Sequence, residues 1–514
     1  MPERHYMVDI SGRVETIIRD YIGPGGYFTI SRPRQYGKTT LLEAIRRELL
    51  HTDVIVDLSF EAVYDSLDTV EKFVPTFCSM TADAVRQSGG QGAAGAAGRL
   101  EAGFAGGPSF RGLGERISAL CESLPGRVVL LIDEVDKATD YQVFAGFLGL
   151  LRDQFLERNN KGTPTFHSVI LAGVHDVKNL KQKIRPDSEH SYNSPWNIAV
   201  PFEVDLSFGP ADIATLLADY EADHRTRMDV AAVAQELSDY TSGYPFLVSR
   251  LCEIVDRRGL SWDAAGVERA VVELTNEQNT LFDDLVKNME ANDALRDVVW
   301  RIIMDAETIP FDRSAPTIDF GALCGALRRG ASGSSAIGNR IFETKLASYL
   351  IARAATTPAV QRSVGTPANY IHGGKLDLGE LLSGFKAFMR SEYRQADGRF
   401  IERHARLLLL AYIRPVVNGA GFYYIEPETG DARRMDLVVQ YGGEEHIVEL
   451  KIWHGSKRDE AALDQLTAYL EARGADHGHL VSFTDQQRQP REDATFVHRG
   501  RAITETVIAY RDAA

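Results

Sequence analysis

YFTISRPRQYGKTTLLEAIRRELL, residues 27–50, joins a short apolar strand to a tight turn and then to a helix. Gly37, Lys38 and Thr39 open that helix, whose first backbone N–H groups and dipole favour a bound phosphate. The stretch Arg34, Gln35, Tyr36, Gly37, Lys38, Thr39 and Thr40 is therefore the candidate phosphate-binding loop. Lys38 is expected to reach the β- and γ-phosphates of a nucleotide, and Thr39 to place its hydroxyl on the accompanying Mg²⁺. The full pattern is GxxxxGK(S/T), and Arg32 stands where its first glycine would be. The competing reading is an ordinary helix start in which Thr39 and Thr40 bond nearby backbone.

A second stretch bears on that choice. VVLLIDEVDK, residues 128–137, is a buried strand that ends in two carboxylates, and strands of this kind deliver polar groups to the crevice at their carboxyl edge. Asp133 is expected to hold Mg²⁺, and Glu134 to orient and deprotonate an attacking water. VIVDLSF, residues 54–60, is another buried strand lying between the two motifs in sequence. That spacing suits the additional-strand type of P-loop ATPase rather than the kinase type, with strand order left open. ATP and Mg²⁺ are the cofactors implied.

The chain has 514 residues, 44% hydrophobic and 25% charged, and a formal net charge of −15. Such a length calls for about three domains. The acidic balance argues against a surface coated for non-specific DNA binding, since counterion release needs clustered Lys and Arg. Cys78, Cys121, Cys252 and Cys324 form no CxxC pair, so neither a zinc site nor a disulfide framework is indicated. The charged N-terminus lacks a signal-peptide core, and no apolar run reaches bilayer length. A cytoplasmic location without membrane contact is the expectation.

Around the motifs, residues 8–22 read as a helix, and the Gly- and Ala-rich residues 88–114 as a flexible insertion. Residues 141–158 read as an amphipathic helix and Ser168 to Ala172 as a further strand, followed by His175 and Asp176. From 210 to 275 the apolar period is helical. Residues 276–395 continue as helices broken near 328–339 by a wing or a linker turn. No chemistry is assigned there.

The second constellation lies near the C-terminus. A helix over 399–413 carries Glu402; Asp436 then starts a strand, Gly442 and Gly443 make a hairpin turn, and Ile447 to Trp453 return as the partner strand. Glu449 and Lys451 are two apart, so they share one face, while Val448, Leu450 and Ile452 share the other. Asp436 and Glu449, with Glu402 as a further contact, suit one or two Mg²⁺ ions, and Lys451 suits a water and the developing negative charge. That set is the equipment of metal-assisted phosphodiester hydrolysis. Gln465 and Tyr469 follow four apart on one helix face. The plainer alternative is a surface hairpin with an ordinary ion pair.

With these residues in view, the chain resembles prokaryotic proteins that join an AAA-like ATPase to a PD-(D/E)xK nuclease-like domain. ISRPRQYGKTT, LLIDEVD, NSPWNIAVPFEVDLSF, SGYPFLVSRLC, NRIFETKL and RMDLVV…IVELKIWHG carry the resemblance across nearly the whole length. It implies an α/β chain of three parts: a P-loop AAA-like ATPase core over 1–208, a helical lid and middle region over 209–395, and an α/β PD-(D/E)xK nuclease-like domain over 396–514. It further implies that Gly243, Tyr244 and Pro245 pack a helical lid against adenine, that His175 or Asp176 is a γ-phosphate sensor, and that Arg185 is a candidate charge-stabilising arginine. Gln465 matches a QxxxY element of some such nucleases. The function expected is ATP-gated, Mg²⁺-dependent cleavage of nucleic acid, with DNA the favoured partner and prokaryotic defence a fitting context. A switch or scaffold that binds nucleic acid without cutting it is the alternative, and the helical middle is left open as lid, sensor or homo-oligomer surface.

Overall fold

Val128, Leu130 and Ile132 face one apolar cluster while Val129 and Leu131 face another, so the acidic strand is buried on both sides. Such residues can belong only to the inside of a covered parallel sheet. In the computed structural model, which describes residues 6–88, 92–104, 106–138, 142–174, 196–305, 307–330, 332–354, 370–392, 402–417, 421–424, 437–453, 460–485 and 492–511, that sheet has four strands. They are β1 (Tyr27–Ser31), β2 (Val54–Ser59), β3 (Val128–Asp133) and β4 (Ser168–Gly173), parallel and in the order β1-β4-β3-β2. Helices α1 (Ser11–Ile17) and α2 (Lys38–Leu49) supply one face. The other face is covered by α3 (Val70–Ser88), α4 (Ala93–Glu101), α5 (Phe110–Ser123) and α6 (Gln142–Lys161).

The order settles what spacing left open: β4 lies between the loop-bearing strand and the acidic strand. On the outer side of β1, Val200 makes a single parallel bridge to Phe28, and its N–H donates to the Tyr27 carbonyl at 2.8 Å. The chain thus leaves β1 toward one edge and leaves β4 toward the other. The crevice above the carboxyl ends of β1 and β4 is a topological switch point, where open α/β sheets place ligands.

One expectation is corrected here. The Gly- and Ala-rich segment contains a packed helix, α4, with Ala93, Ala96, Ala97 and Leu100 buried on one side. Its small residues fall at helical spacing and let α4 approach closely, so a composition that reads as loop works as a slim core helix. The segment near 328–339 forms an antiparallel hairpin, β5 (Leu327–Arg329) with β6 (Ser335–Ile337), as a wing would.

The chain divides into two compact units, Met1–Ser207 and Phe208–Ala514. The second unit begins with helices α7 (Pro210–His224), α8 (Val230–Thr241) and α9 (Pro245–Arg258). Gly243, between α8 and α9, has φ +71°, and its carbonyl accepts the Phe208 N–H at 2.8 Å. A Cβ there would stand 2.2 Å from the Phe208 carbonyl oxygen. This glycine therefore serves a close backbone approach, and Pro245 opens α9 at the first helical position. Gly243→Ala is expected to lower unfolding free energy by more than about 1 kcal/mol, because strain and clash add. Urea unfolding checks this.

Further along the second unit come α10 (Ala264–Asn276), α11 (Thr280–Ala291), α12 (Asp293–Ile303), α13 (Pro316–Leu323), α14 (Arg340–Ala354) and the short antiparallel pair β7 (Ile371–His372) and β8 (Lys375–Leu376). Helix α15 (Leu378–Glu392) and helix α16 (Glu402–Val417) then precede a six-stranded mixed sheet. Its strands are β9 (Gly421–Tyr424), β10 (Leu437–Tyr441), β11 (Glu444–Trp453), β12 (His477–Asp485), β13 (Ala494–His498) and β14 (Arg501–Arg511), in the order β13-β14-β12-β11-β10-β9. Helix α17 (Glu460–Arg473) connects β11 to β12. The hairpin turn falls at Gly442 and Gly443, with φ +61° and +80°, the left-handed pair that a two-residue turn needs. Tyr240, in the last turn of α8, donates its hydroxyl to Gln440 Oε1 at 2.6 Å, so helical region and sheet share one unit. Among the described residues no helix is long and apolar enough to cross a membrane.

Candidate nucleotide site and carboxylate face

Strand β1 stops at Ser31 because Arg32 has two other tasks. Its N–H donates to the Gly173 carbonyl at the tip of β4, at 3.1 Å, and its guanidinium reaches the Val204 carbonyl at 2.8 Å while lying over the Phe202 ring. The side chain that replaces the first loop glycine is thereby drawn toward the 202–204 segment. What it contributes is a brace between the loop and that segment.

Beyond it, Gln35 and Gly37 adopt left-handed backbone, φ +55° and +76°, and the loop doubles back on itself. Lys38 is 7% exposed, and its Nζ donates to the carbonyls of Arg32 at 3.0 Å and Pro33 at 2.8 Å. Burial lowers its pKa, partly offset by Asp136, Glu134 and Asp133. The start of α2 has no side-chain cap, so its first N–H groups stay available to an anion. Thr39 does not cap the helix: its hydroxyl donates to Asp133 Oδ2 at 2.6 Å. The plain helix-cap reading of Thr39 therefore does not hold. Tyr36 is packed beside the α1–α2 cluster, and burial raises its phenol pKa. Arg34, Gln35 and Thr40 are exposed on the loop and first turn.

Asp133 ends β3 and accepts the Glu134 N–H at 2.9 Å through its other oxygen. Glu134 itself has φ +55°, an uncommon conformation for a residue with a long side chain. Burial raises its carboxyl pKa, and the Asp133 charge raises it further against the pull of Lys38. Asp136 accepts the Val174 N–H at 2.6 Å, which ties the tip of β4 to the turn after β3. A Cβ on Gly173 would stand 2.8 Å from Val135 and 3.0 Å from Asp136, so the small residue permits that closure. Lys38, Thr39, Asp133 and Glu134 thus meet above one sheet edge, while Pro245 belongs to the second unit. His175, Asp176 and Arg185 lie outside the described residues.

In the second unit, Glu449 is fully buried on β11, and Lys451 Nζ stands 2.9 Å from its Oε1. The parallel register aligns Glu449 with Leu480 and Lys451 with Ser482. Helix α17 covers this face: a Cβ on Gly478 would meet Leu466 and Leu470, and Arg473 lies 3.6 Å from Glu445 on β11. Tyr469 is buried, and its hydroxyl has no hydrogen-bond partner among the described residues. Gln465, one turn earlier on α17, is half-buried. Asp436 lies outside the described residues, and so does the side chain of Glu402. Among the described residues no group of three or more His, Cys, Asp or Glu side chains is placed to hold a metal.

Sequence reading missed Ser482 and Glu505. Ser482 donates to Glu505 Oε1 at 2.7 Å, and both are buried. They stand far apart in the chain, and only sheet register reveals them.

No protein-family model matches the sequence, and no curated protein is similar to it. Among solved structures, the chain is similar to the Walker-type ATPase PABY2304 of Pyrococcus abyssi, at 14% identity and TM-score 0.45 over 66% of this chain and 96% of that one. The Aeropyrum pernix ORC2 protein, solved as ADPNP–ADP complexes, matches at 14% identity and TM-score 0.40 over 68% and 96%. The Aeropyrum pernix ORC1 protein in complex with DNA matches at 14% identity and TM-score 0.30 over 68% and 94%. At these scores the likeness carries no functional argument, and the reading below stands on the geometry.

Proposed function

We propose that the first unit binds and hydrolyses ATP with Mg²⁺, and that its nucleotide state governs Mg²⁺-dependent cleavage of nucleic acid, DNA by preference, at the second sheet. The observation that carries the nucleotide half is the 2.6 Å bond from Thr39 to Asp133. It spans the tip of β4 and brings a hydroxyl and a carboxylate together beside the buried Lys38 amine. Hard oxygen donors of this kind suit Mg²⁺, so these residues fit the ion. Bound there, Mg²⁺ would neutralise charge on the phosphate oxygens. The chain's own part is to hold the phosphates on the α2 N–H groups and Lys38, and to orient water with Glu134.

Calorimetry of ATP binding to the full chain, with and without Mg²⁺, tests this. Tight binding that weakens without Mg²⁺, and loses that dependence in Thr39→Val, is the expected result. No ATP binding in any of the four titrations would remove the nucleotide reading, and equal affinity in all four would remove the Mg²⁺ role of Thr39.

Support for the cleavage half is the Glu449 and Lys451 pair on one strand face beneath α17. Cleavage in prokaryotic defence is the context the resemblance suggests. One observation favours the second reading, a switch or scaffold that binds nucleic acid without cutting it: Glu449 is fully buried and engaged by Lys451, so its carboxylate is not presented to solvent.

A further inference from the structure

The turn at Gly243 joins α8 to α9 at one end of the helical group, and the other end holds a cavity that no motif of the sequence uses. It measures about 680 Å³, within the range of small-molecule sites. It is built where α7 and α9 finish and α8 and α10 begin. The length of α9 separates it from Pro245, roughly 20 Å at a rise of 1.5 Å per residue.

Val233, Val255, Leu260 and Trp262 supply an apolar wall. Tyr220 packs on Trp262, with ring centroids 4.7 Å apart, and its hydroxyl donates to Asp256 Oδ1 at 2.5 Å. The neighbouring turn has φ +53° at Arg225 and +64° at Arg227. It is pinned by the Glu221 carboxylate, which accepts the N–H groups of Thr226 at 2.9 Å and Arg227 at 2.8 Å. The walls are therefore formed without a ligand.

The charge of the lining is one-sided: Asp229, Glu236, Asp256 and Asp263 stand against the single guanidinium of Arg227. Asp229 and Asp263 cap α8 and α10. Among the described residues, however, Asp229 and Asp256 make their hydrogen bonds through Oδ1 alone, which leaves an oxygen of each for another donor. The carboxyl ends of α7 and α9, the negative poles of their dipoles, favour a cation in the same place. Such a lining repels anions. A single metal ion is not matched either, because among the described residues no three His, Cys, Asp or Glu side chains are placed to hold one. Carboxylates spread around an apolar wall fit a cation whose charges are themselves spread along an apolar chain.

We infer that this cavity binds a linear aliphatic polyamine. Its methylene segments lie against Val233, Val255 and Leu260, one ammonium lies beside the Trp262 ring, and the others meet Asp229, Asp256 and Asp263. The inference uses no residue of the nucleotide or cleavage readings and stands or falls apart from them.

Calorimetric titration of the full chain with spermidine at low salt tests it, with a tetralysine peptide run in parallel. One saturable site is expected. Its affinity should fall about tenfold in Asp256→Asn, the scale of one lost charge-assisted hydrogen bond, while the amide oxygen still accepts the Tyr220 hydroxyl. Trp262→Leu is expected to weaken binding as well, with melting temperature followed in both proteins; should either fail to fold, the other decides. Glu290→Gln, which removes an exposed carboxylate outside the lining, should bind as the wild type does. Absence of a saturable site, or an equal loss in Asp256→Asn and Glu290→Gln, overturns the inference. Tighter binding of tetralysine than of spermidine at the same residues overturns the polyamine assignment and makes the cavity a seat for a basic protein segment.

Discussion

Lys38→Ala is expected to lower ATP turnover about 100- to 1,000-fold, the scale seen when one preorganised donor to developing charge is removed. The amine sits 7% exposed on the Arg32 and Pro33 carbonyls, at the start of a helix with no side-chain cap. Its site is thus built before any ligand arrives, and alanine removes both the charge and the tie that folds the loop. A phosphate-release assay at saturating ATP reads the loss, and turnover within twofold of wild type would mean that the loop serves another purpose. Arginine at this position is not a conservative choice, because its planar fork does not replace a point charge seated between two carbonyls.

Glu134→Gln is expected to leave ATP bound and to lower hydrolysis about 100- to 10,000-fold, the range for a lost general base. The side chain keeps its size, so binding through Lys38 and Thr39 persists. Wild-type turnover also acquires a pH limb. Burial, then the Asp133 charge, raises the Glu134 pKa above the ordinary value of 4.5. Only the ionised carboxylate accepts a proton, so turnover should climb with pH through that raised value. The limb then lies above 4.5, and the residual activity of Glu134→Gln should lack it. An unchanged limb in the variant would assign the titration to another group.

Much of the first unit is legible in its sequence because burial on both faces leaves so plain a mark: VVLLID has no polar residue before its last position, and SVILAG none after its first. Strand order was not legible, since nothing in Ser168–Gly173 says that it inserts between β1 and β3. The part played by Arg32 was equally hidden. Its place in the loop is visible, but its bond to the Val204 carbonyl is set by folding across a long stretch of chain. Helix α4 was misread because composition outweighed spacing: the run of Gly and Ala suggests a loop, while the positions 93, 96, 97 and 100 describe a buried stripe.

In the second unit, Glu449 and Lys451 are legible from strand alternation, and Gly442 and Gly443 from turn chemistry. Ser482 and Glu505 are not, for they acquire meaning only once β11, β12 and β14 lie side by side in register. A charged residue inside an apolar strand is itself a signal, and TETVIAY at residues 504–510 contains one. Its partner could not be read without the sheet.

The measurement that bears most directly on the whole account is cleavage of supercoiled plasmid, linear duplex, single-stranded DNA and RNA with Mg²⁺, with and without ATP. Lys38→Ala and Lys451→Ala proteins are run beside the wild type. The account predicts cleavage of DNA that disappears in Lys451→Ala and loses its response to ATP in Lys38→Ala. Intact ATP hydrolysis with no cleavage of any substrate would contradict it and leave a nucleotide-driven switch or scaffold in its place.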